Sequence, residues 1–176
     1  RLEWDPGDVV SAQWVSWTAS DGLPSGAVQA VFGMPGGSAW VGTTSGLVRV
    51  GPGQDEVSQI YSSSDGLPSD EVTALALTRT GLLYVGTAFG LGVIEPGALS
   101  AGEVEGVEGA VSALAEDHTG SVWAATNEAI FRLLPDGSIE EYNTLNCPIL
   151  SNAVYDLACD RNGGALYIGT DHGMWR

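Results

Sequence analysis

The residues of this chain that could do chemistry are few and scattered. They are the pairs Asp117-His118 and Asp171-His172, a carboxylate at Asp156, the acids Asp21 and Asp65 in two copies of one pentapeptide, and Phe89 and Asn127 between apolar runs. A histidine beside an aspartate can ligate zinc, or act as a base that a carboxylate orients. No Gly-x-Ser-x-Gly elbow, phosphate-binding glycine loop or cysteine-pair metal motif accompanies them. A glycosidase needs two carboxyl groups converging at a defined separation. Here only Asp156 falls within a predicted inner strand, and Asp70, Glu71, Glu116 and Asp117 fall at strand ends. Hydrolysis is disfavoured, and no cofactor is expected.

What positions these residues is a repeat. Asp21-Gly22-Leu23-Pro24-Ser25 returns as Asp65-Gly66-Leu67-Pro68-Ser69. An aromatic, two small or apolar residues and a threonine occur four times: Trp40-Val41-Gly42-Thr43, Tyr84-Val85-Gly86-Thr87, Trp123-Ala124-Ala125-Thr126 and Tyr167-Ile168-Gly169-Thr170. The threonines are 44, 39 and 44 residues apart. A valine-led apolar stretch precedes each set, starting at Val28, Val72, Val111 and Val154, and the aromatic follows its valine by 12, 12, 12 and 13 residues. A period of about 40 holding several short strands is that of a β-propeller, one blade of about four strands per repeat.

The expected fold is therefore all-β: a single β-propeller domain over 1–176, built from four repeats of four-stranded antiparallel blades at about 18–62, 63–104, 105–144 and 145–176. In the first repeat 27–33 is the inner strand, Met34-Pro35-Gly36-Gly37 turns the chain, 38–43 returns, and 47–50 and 57–62 lie outside. Gly46, Gly90 and Gly173 are expected at positive φ in the turn after each threonine, whereas Ala129 holds that place in the third repeat and requires a different turn. Gly42, Gly86, Ala125 and Gly169 leave room for the adjacent blade. The fourth repeat has residues for three strands, and 10–17, with Trp14 and Trp17, read as the fourth strand of a preceding blade. That N-terminal strand is expected to complete the last blade and close the ring, removing an exposed edge. A strand-exchanged eight-bladed dimer and a piece of a longer propeller are the alternatives.

Twenty-two acids against six arginines, with no lysine, give a formal charge of −16. Such a surface repels phosphate backbones and anionic membranes, so nucleic acid is excluded as a partner and direct membrane insertion is not expected. Basic protein patches and neutral small molecules remain. Hydrophobic residues at 44%, charged residues at 16%, and 25 glycines fit one soluble domain of short strands and tight turns. The chain starts at Arg1 with no leader or membrane-length apolar run, which reads as a processed chain or a fragment. Cys147 and Cys159 are about ten extended residues apart, so a disulfide between them requires the chain to fold back.

If the inner strands start on the face that bears the Asp-Gly-Leu-Pro-Ser loops, the turns after the threonines return to that face. One rim then gathers Asp21, Asp65, Phe89, Asn127, Asp171 and His172 as candidate ligand-binding residues. Asp21 and Asp65 equally suit capping of their own turns. Asp156 replaces Ala30, Ala74 and Ala113 of the other inner strands, at a position expected to be tightly packed. It reads either as a ligand-holding acid near the axis or as a carboxylate satisfied by loop amides. Gln29, Thr73, Ser112 and Tyr155 alternate with these residues and are expected to line the channel. His118 precedes its aromatic strand and His172 follows its own, which places them on opposite faces, too far apart to share a zinc. No calcium-loop spacing occurs either.

A Gly-Leu-Pro-Ser loop, a valine-led strand, an Asp and Gly turn, then Trp-x-Gly-Thr and Gly-Leu resemble the two-component regulator propeller repeat. The match spans essentially the whole chain and is strongest in repeats one and two. Repeat three has Gly106-Val107-Glu108-Gly109-Ala110 in place of the loop, and repeat four Cys147-Pro148-Ile149-Leu150-Ser151. The resemblance implies an extracytoplasmic sensing module, periplasmic or secreted, of a bacterial signalling protein. The expected function is a non-enzymatic module that binds another protein or a neutral small molecule such as a glycan through its rim. A structural scaffold subunit, homodimeric or otherwise assembled, is the alternative. A third reading is an enzyme resembling the propeller lyases that open cyclic peptide antibiotics, with His172 or His118 as base; one histidine per face leaves it without a catalytic cluster.

Overall fold

Runs of β-branched, leucine and aromatic residues alternate with small or polar ones in every repeat, and each run becomes a short strand. The computed structural model describes residues 16–51, 57–149, 151, 153–160 and 164–176. Blade 1 comprises β1 (Val28–Gly33), β2 (Ala39–Thr43), β3 (Gly46–Val50) and β4 (Val57–Tyr61). Blade 2 comprises β5 (Val72–Leu77), β6 (Leu83–Thr87), β7 (Gly90–Ile94) and β8 (Gly102–Glu103). Blade 3 comprises β9 (Val111–Glu116), β10 (Val122–Thr126), β11 (Ile130–Leu133) and β12 (Ile139–Tyr142), and blade 4 comprises β13 (Val154–Cys159), β14 (Leu166–Thr170) and β15 (Gly173–Trp175). Each blade is an antiparallel meander in chain order. Among the described residues blade 4 has three strands; the closing strand expected at 10–17 lies outside them except for Ser16 and Trp17. Trp17 packs against Leu23, Val41, Val48 and Val50 of blade 1.

The blades stack through their inner strands, β1 against β5, β5 against β9 and β9 against β13. The seams are valine-into-glycine contacts. A Cβ placed on Gly42 would lie 2.5 Å from Cγ1 of Val72, and one on Gly86 2.7 Å from Cγ1 of Val111. Ala125 shares the third seam cluster with Val154. Trp40, Tyr84 and Trp123 pack into the same seams, as expected of inter-blade aromatics. Each inner strand bulges at its second residue, because Val28, Val72, Val111 and Val154 pair with the threonine whereas the residue two further on pairs with the neighbouring Gly or Ala. The extra residue turns its side chain out of the ladder and across the seam.

The turn after each threonine is built on its hydroxyl. Oγ1 of Thr43, Thr87 and Thr170 donates to the carbonyl of Gly46, Gly90 and Gly173 at 2.9 Å and accepts the backbone N–H two residues on. The three glycines have φ of 136°, 148° and 113°. In blade 3 the hydroxyl of Thr126 likewise donates to the Ala129 carbonyl, at 3.2 Å, but accepts from both Glu128 and Ala129 N–H, and β11 starts one residue later, so Ala129 avoids positive φ. Thr87→Val keeps the shape of a fully buried side chain and removes this hydroxyl. It is expected to lower stability by about 1–3 kcal/mol, read as a shifted urea midpoint; an unchanged midpoint refutes the assigned role.

One detail departs from the expected blade pattern. The outer strand of blade 2 shrinks to two residues because the segment before it is drawn onto blade 1: Nε2 of Gln59 donates to the Leu99 carbonyl and the Tyr61 hydroxyl to that of Ala98, both at 2.8 Å. No disulfide joins Cys147, in the loop before β13, to Cys159 at its end.

Candidate functional site

Four equivalent turns, each following a blade's second strand, share one face. Each is tied to the loop that leads into the inner strand of its own blade. Thr44 N–H donates to Ala27 O, Ala88 N–H to Glu71 O and Asp171 N–H to Ala153 O; in blade 3 the Asn127 side chain does this work, its Oδ1 accepting from Ala110 N–H at 3.1 Å. Phe89, Asn127, Asp171 and His172 therefore stand at corresponding places on a rigid rim. Phe89 is 75% exposed although the turn beneath it is anchored by the fully buried Thr87. Asp171 Oδ1 lies 2.8 Å from Nδ1 of His172. The Asp171 carboxyl is held below its ordinary value, chiefly by the Ser151 hydroxyl and then by His172.

Asp21 and Asp65 do not join this group. Each closes a short 3₁₀ turn, Ala19–Asp21 and Ser63–Asp65, through a reciprocal capping box with Thr18 and Ser62. Asp21 Oδ2 accepts from Thr18 N–H at 2.8 Å and its hydroxyl at 2.7 Å; Asp65 Oδ2 does the same with Ser62 at 3.0 and 2.7 Å. The Thr18 hydroxyl and amide pull the Asp21 pKa down. The backbone carries both turns outward: Asp65 O accepts from Ala101 N–H beside β8, and Gly22 lies against Val57 of β4. These two acids thus take the capping geometry that their turns also suited, beside the outermost strands.

Asp156 is also placed differently from expectation. It is exposed, pairs with Gly169, and its Oδ1 accepts the N–H of Leu157 at 2.9 Å. It sits on the face of blade 4 that corresponds to the seam-forming faces of blades 1 to 3. The supposed channel residues are seam residues as well: Thr73 Oγ1 donates to Val111 O and Ser112 Oγ to Val154 O, each at 2.6 Å, and Gln29 Nε2 reaches Glu71 Oε1 at 3.0 Å. Tyr155 is 67% exposed. The lower ends of the inner strands line a small cleft of about 210 Å³ that includes Phe32, Leu77, Glu116 and Cys159, one residue from each blade.

His118 lies against Gly164 in the loop between β13 and β14, at the end of the blades opposite His172. Among the described residues no three His, Cys, Asp or Glu side chains are grouped to hold a metal ion. What sequence reasoning missed at Asp117 is how many donors converge on it. Its Oδ1 accepts from Thr119 N–H, the Thr119 hydroxyl and Ser121 N–H, and its Oδ2 from Trp123 Nε1 at 3.1 Å and Arg132 at 3.4 Å. Arg132 in turn lies over the Trp123 ring, 5.3 Å from its centroid. The signal was the run Asp117-His118-Thr119-Gly120-Ser121, an acid closing its own turn, with Trp123 two residues beyond it.

No family profile and no curated protein matches the chain. Solved structures do match, and they place these blades in a propeller-like, all-β fold. The extracellular domain of BT3049, assigned to the hybrid two-component systems of B. thetaiotaomicron, aligns with a TM-score of 0.80 at 20% identity over 94% of this chain and 24% of that one. PorZ, an essential surface component of the type-IX secretion system of Porphyromonas gingivalis, aligns at 0.72 with 20% identity over 95% of this chain and 28% of its own. Virginiamycin B lyase from Staphylococcus aureus aligns at 0.62 with 17% identity over 85% and 54%. This chain thus spans about a quarter of the first two and about half of the third. Among the described residues no helix is long and apolar enough to cross a membrane.

Proposed function

We infer that this chain is a four-repeat, propeller-type binding or sensor module that recognises a partner protein or a neutral ligand through the turns of one rim, in an extracytoplasmic bacterial setting, without catalysis. The observation that carries this reading is Phe89, a large aromatic three-quarters exposed on a turn that Thr87 fixes from below. Aromatics held rigidly at a surface offer contact area at little entropic cost and dominate recognition energetics. His172, oriented by Asp171, supplies a polar group at the corresponding place two blades on. The likeness to extracellular domains of two-component-system proteins supports the sensor reading and the location.

The test is direct. The chain is screened against a panel of neutral oligosaccharides by calorimetry, and against extracytoplasmic proteins by cross-linking. Phe89→Ala and His172→Ala are expected to weaken the complex found by roughly tenfold each, about 1.4 kcal/mol, with unchanged thermal midpoints. Binding that survives both substitutions moves recognition off this rim. The scaffold reading has its own support in the exposed blade faces at Val28 and Val31, 44% and 63% accessible.

A further inference from the structure

The three internal seams share one recipe, and the outward face of blade 4 breaks it at two positions. In each seam a valine from the following blade, Val72, Val111 or Val154, enters a seat made by a small pair on the blade before. The pairs are Ala30 with Gly42, Ala74 with Gly86 and Ala113 with Ala125. These valines are 0%, 1% and 3% exposed. In the second and third seams a small hydroxyl beside the seat, Thr73 or Ser112, donates to the carbonyl of that same valine. Blade 4 presents the same backbone pairing between inner and second strand, but its seat is Asp156 with Gly169, and Tyr155 stands at the hydroxyl's place. At the other end of the arc Val28, the valine that would enter such a seat, is 44% exposed.

A valine seated there would bury the Asp156 carboxylate against methyl groups, away from water and with one hydrogen bond, to Leu157 N–H. Burying a charge that way is costly unless it is paired. The blade 1 face of this chain has valines at the matching positions, Val28 and Val31, and β1 contains no cationic residue.

We propose that the outward face of blade 4 is a selective docking surface for a blade-like partner that presents a cationic side chain where this chain's own seams present valine, and that Asp156 keeps the face from accepting this chain's own blade 1. The partner's chemistry follows from the seat. It needs an extended edge whose first inward residue is arginine or lysine, long enough to reach past Gly169 and pair with Asp156 in a bidentate or charge-assisted bond. The charge of −16 favours a basic partner at longer range as well. The surface is independent of the rim and of what the rim binds.

Four versions of the chain, with far-UV circular dichroism as the check on folding, test this by sedimentation equilibrium. Both substituted residues are exposed, so the fold is expected to survive. Asp156→Ala restores the ordinary seat for Val28, and Val28→Arg supplies the cation for Asp156. Each single variant is expected to self-associate head to tail at least tenfold more tightly than the unsubstituted chain. The double variant, in which the introduced arginine faces an alanine seat, is expected to lose that gain. The proposal is overturned if the unsubstituted chain associates as tightly as either single variant, if neither single variant gains, or if the double variant associates as tightly as Val28→Arg.

Discussion

Gly66→Ala should be among the most damaging single substitutions in this chain. Gly66 ends the Ser63–Asp65 turn at φ 102°, in the left-handed region where a Cβ meets the following carbonyl, a cost of about 1–2 kcal/mol. The added methyl would also run into the backbone carbonyl oxygen of Ala101, which cannot swing aside as a side chain can. Ala101 N–H is bonded to Asp65 O at 2.7 Å, so relieving the collision breaks the contact that holds this loop on blade 2. Overpacking of this kind adds about 1–3 kcal/mol, for a total of about 2–5 kcal/mol. Gly97→Ala is the matched control: φ is 77° and nothing lies within 4 Å of its Cβ, so only the conformational part applies. Urea unfolding of the two variants side by side separates the terms. Equal midpoints would mean that the Ala101 contact contributes nothing.

The same comparison shows what a repeat makes legible. Once the four Aro-x-Gly/Ala-Thr sets are in phase, each turn is read from one chemical fact, a threonine hydroxyl followed by a residue that does or does not tolerate positive φ. Gly46, Gly90 and Gly173 follow directly, and so does the different construction at Ala129. The seam role of Gly42 and Gly86 was legible for the same reason, because a missing Cβ beside an aromatic has a packing meaning wherever blades stack. The placement of Asp21 and Asp65 was not. Their pentapeptide announces a capped turn, but where that turn lies depends on the Ala101 and Val57 contacts, which join residues distant in sequence. Asp156 stood out as the odd member of an alanine column, yet alternation cannot say whether that column faces an axis or a neighbouring blade. The inter-strand bulge at the preceding residue decides it, and bulges leave no mark in the pattern of apolar residues. The turns were therefore legible from turn chemistry, whereas the positions of the acids were set by tertiary contacts.

Asp117 is where those contacts concentrate, and its removal is the second large effect expected. The residue is 9% exposed, and five donors converge on its two oxygens. Burial alone would raise its pKa, but the bonds from Thr119, Trp123 and Ser121 outweigh it, and the net direction is downward. A carboxyl whose folded-state pKa is depressed contributes stability that is fully present above the unfolded value, about 3.9, and is lost as pH falls through the lower folded one. Asp117→Ala would leave the indole N–H of Trp123 and the amides of Thr119 and Ser121 without their acceptor, and free Arg132 from one of its two carboxylates, leaving Glu140. The expected loss is about 3–5 kcal/mol at neutral pH, with a shallower fall in stability below pH 4 than in the unsubstituted chain. Asp117→Asn tests the charge separately, because an amide offers one acceptor where two are needed and turns its own donors toward Trp123 or the turn. Asp136 supplies the control: it makes a similar turn, with Ser138 N–H and hydroxyl on Oδ1, but on an exposed hairpin with no indole or arginine bonded to it among the described residues. Asp136→Ala should cost far less. Should the two alanine variants unfold at the same urea concentration, or should the acid limb of the Asp117→Ala profile match that of the unsubstituted chain, the convergence on Asp117 would be geometry without energetic weight.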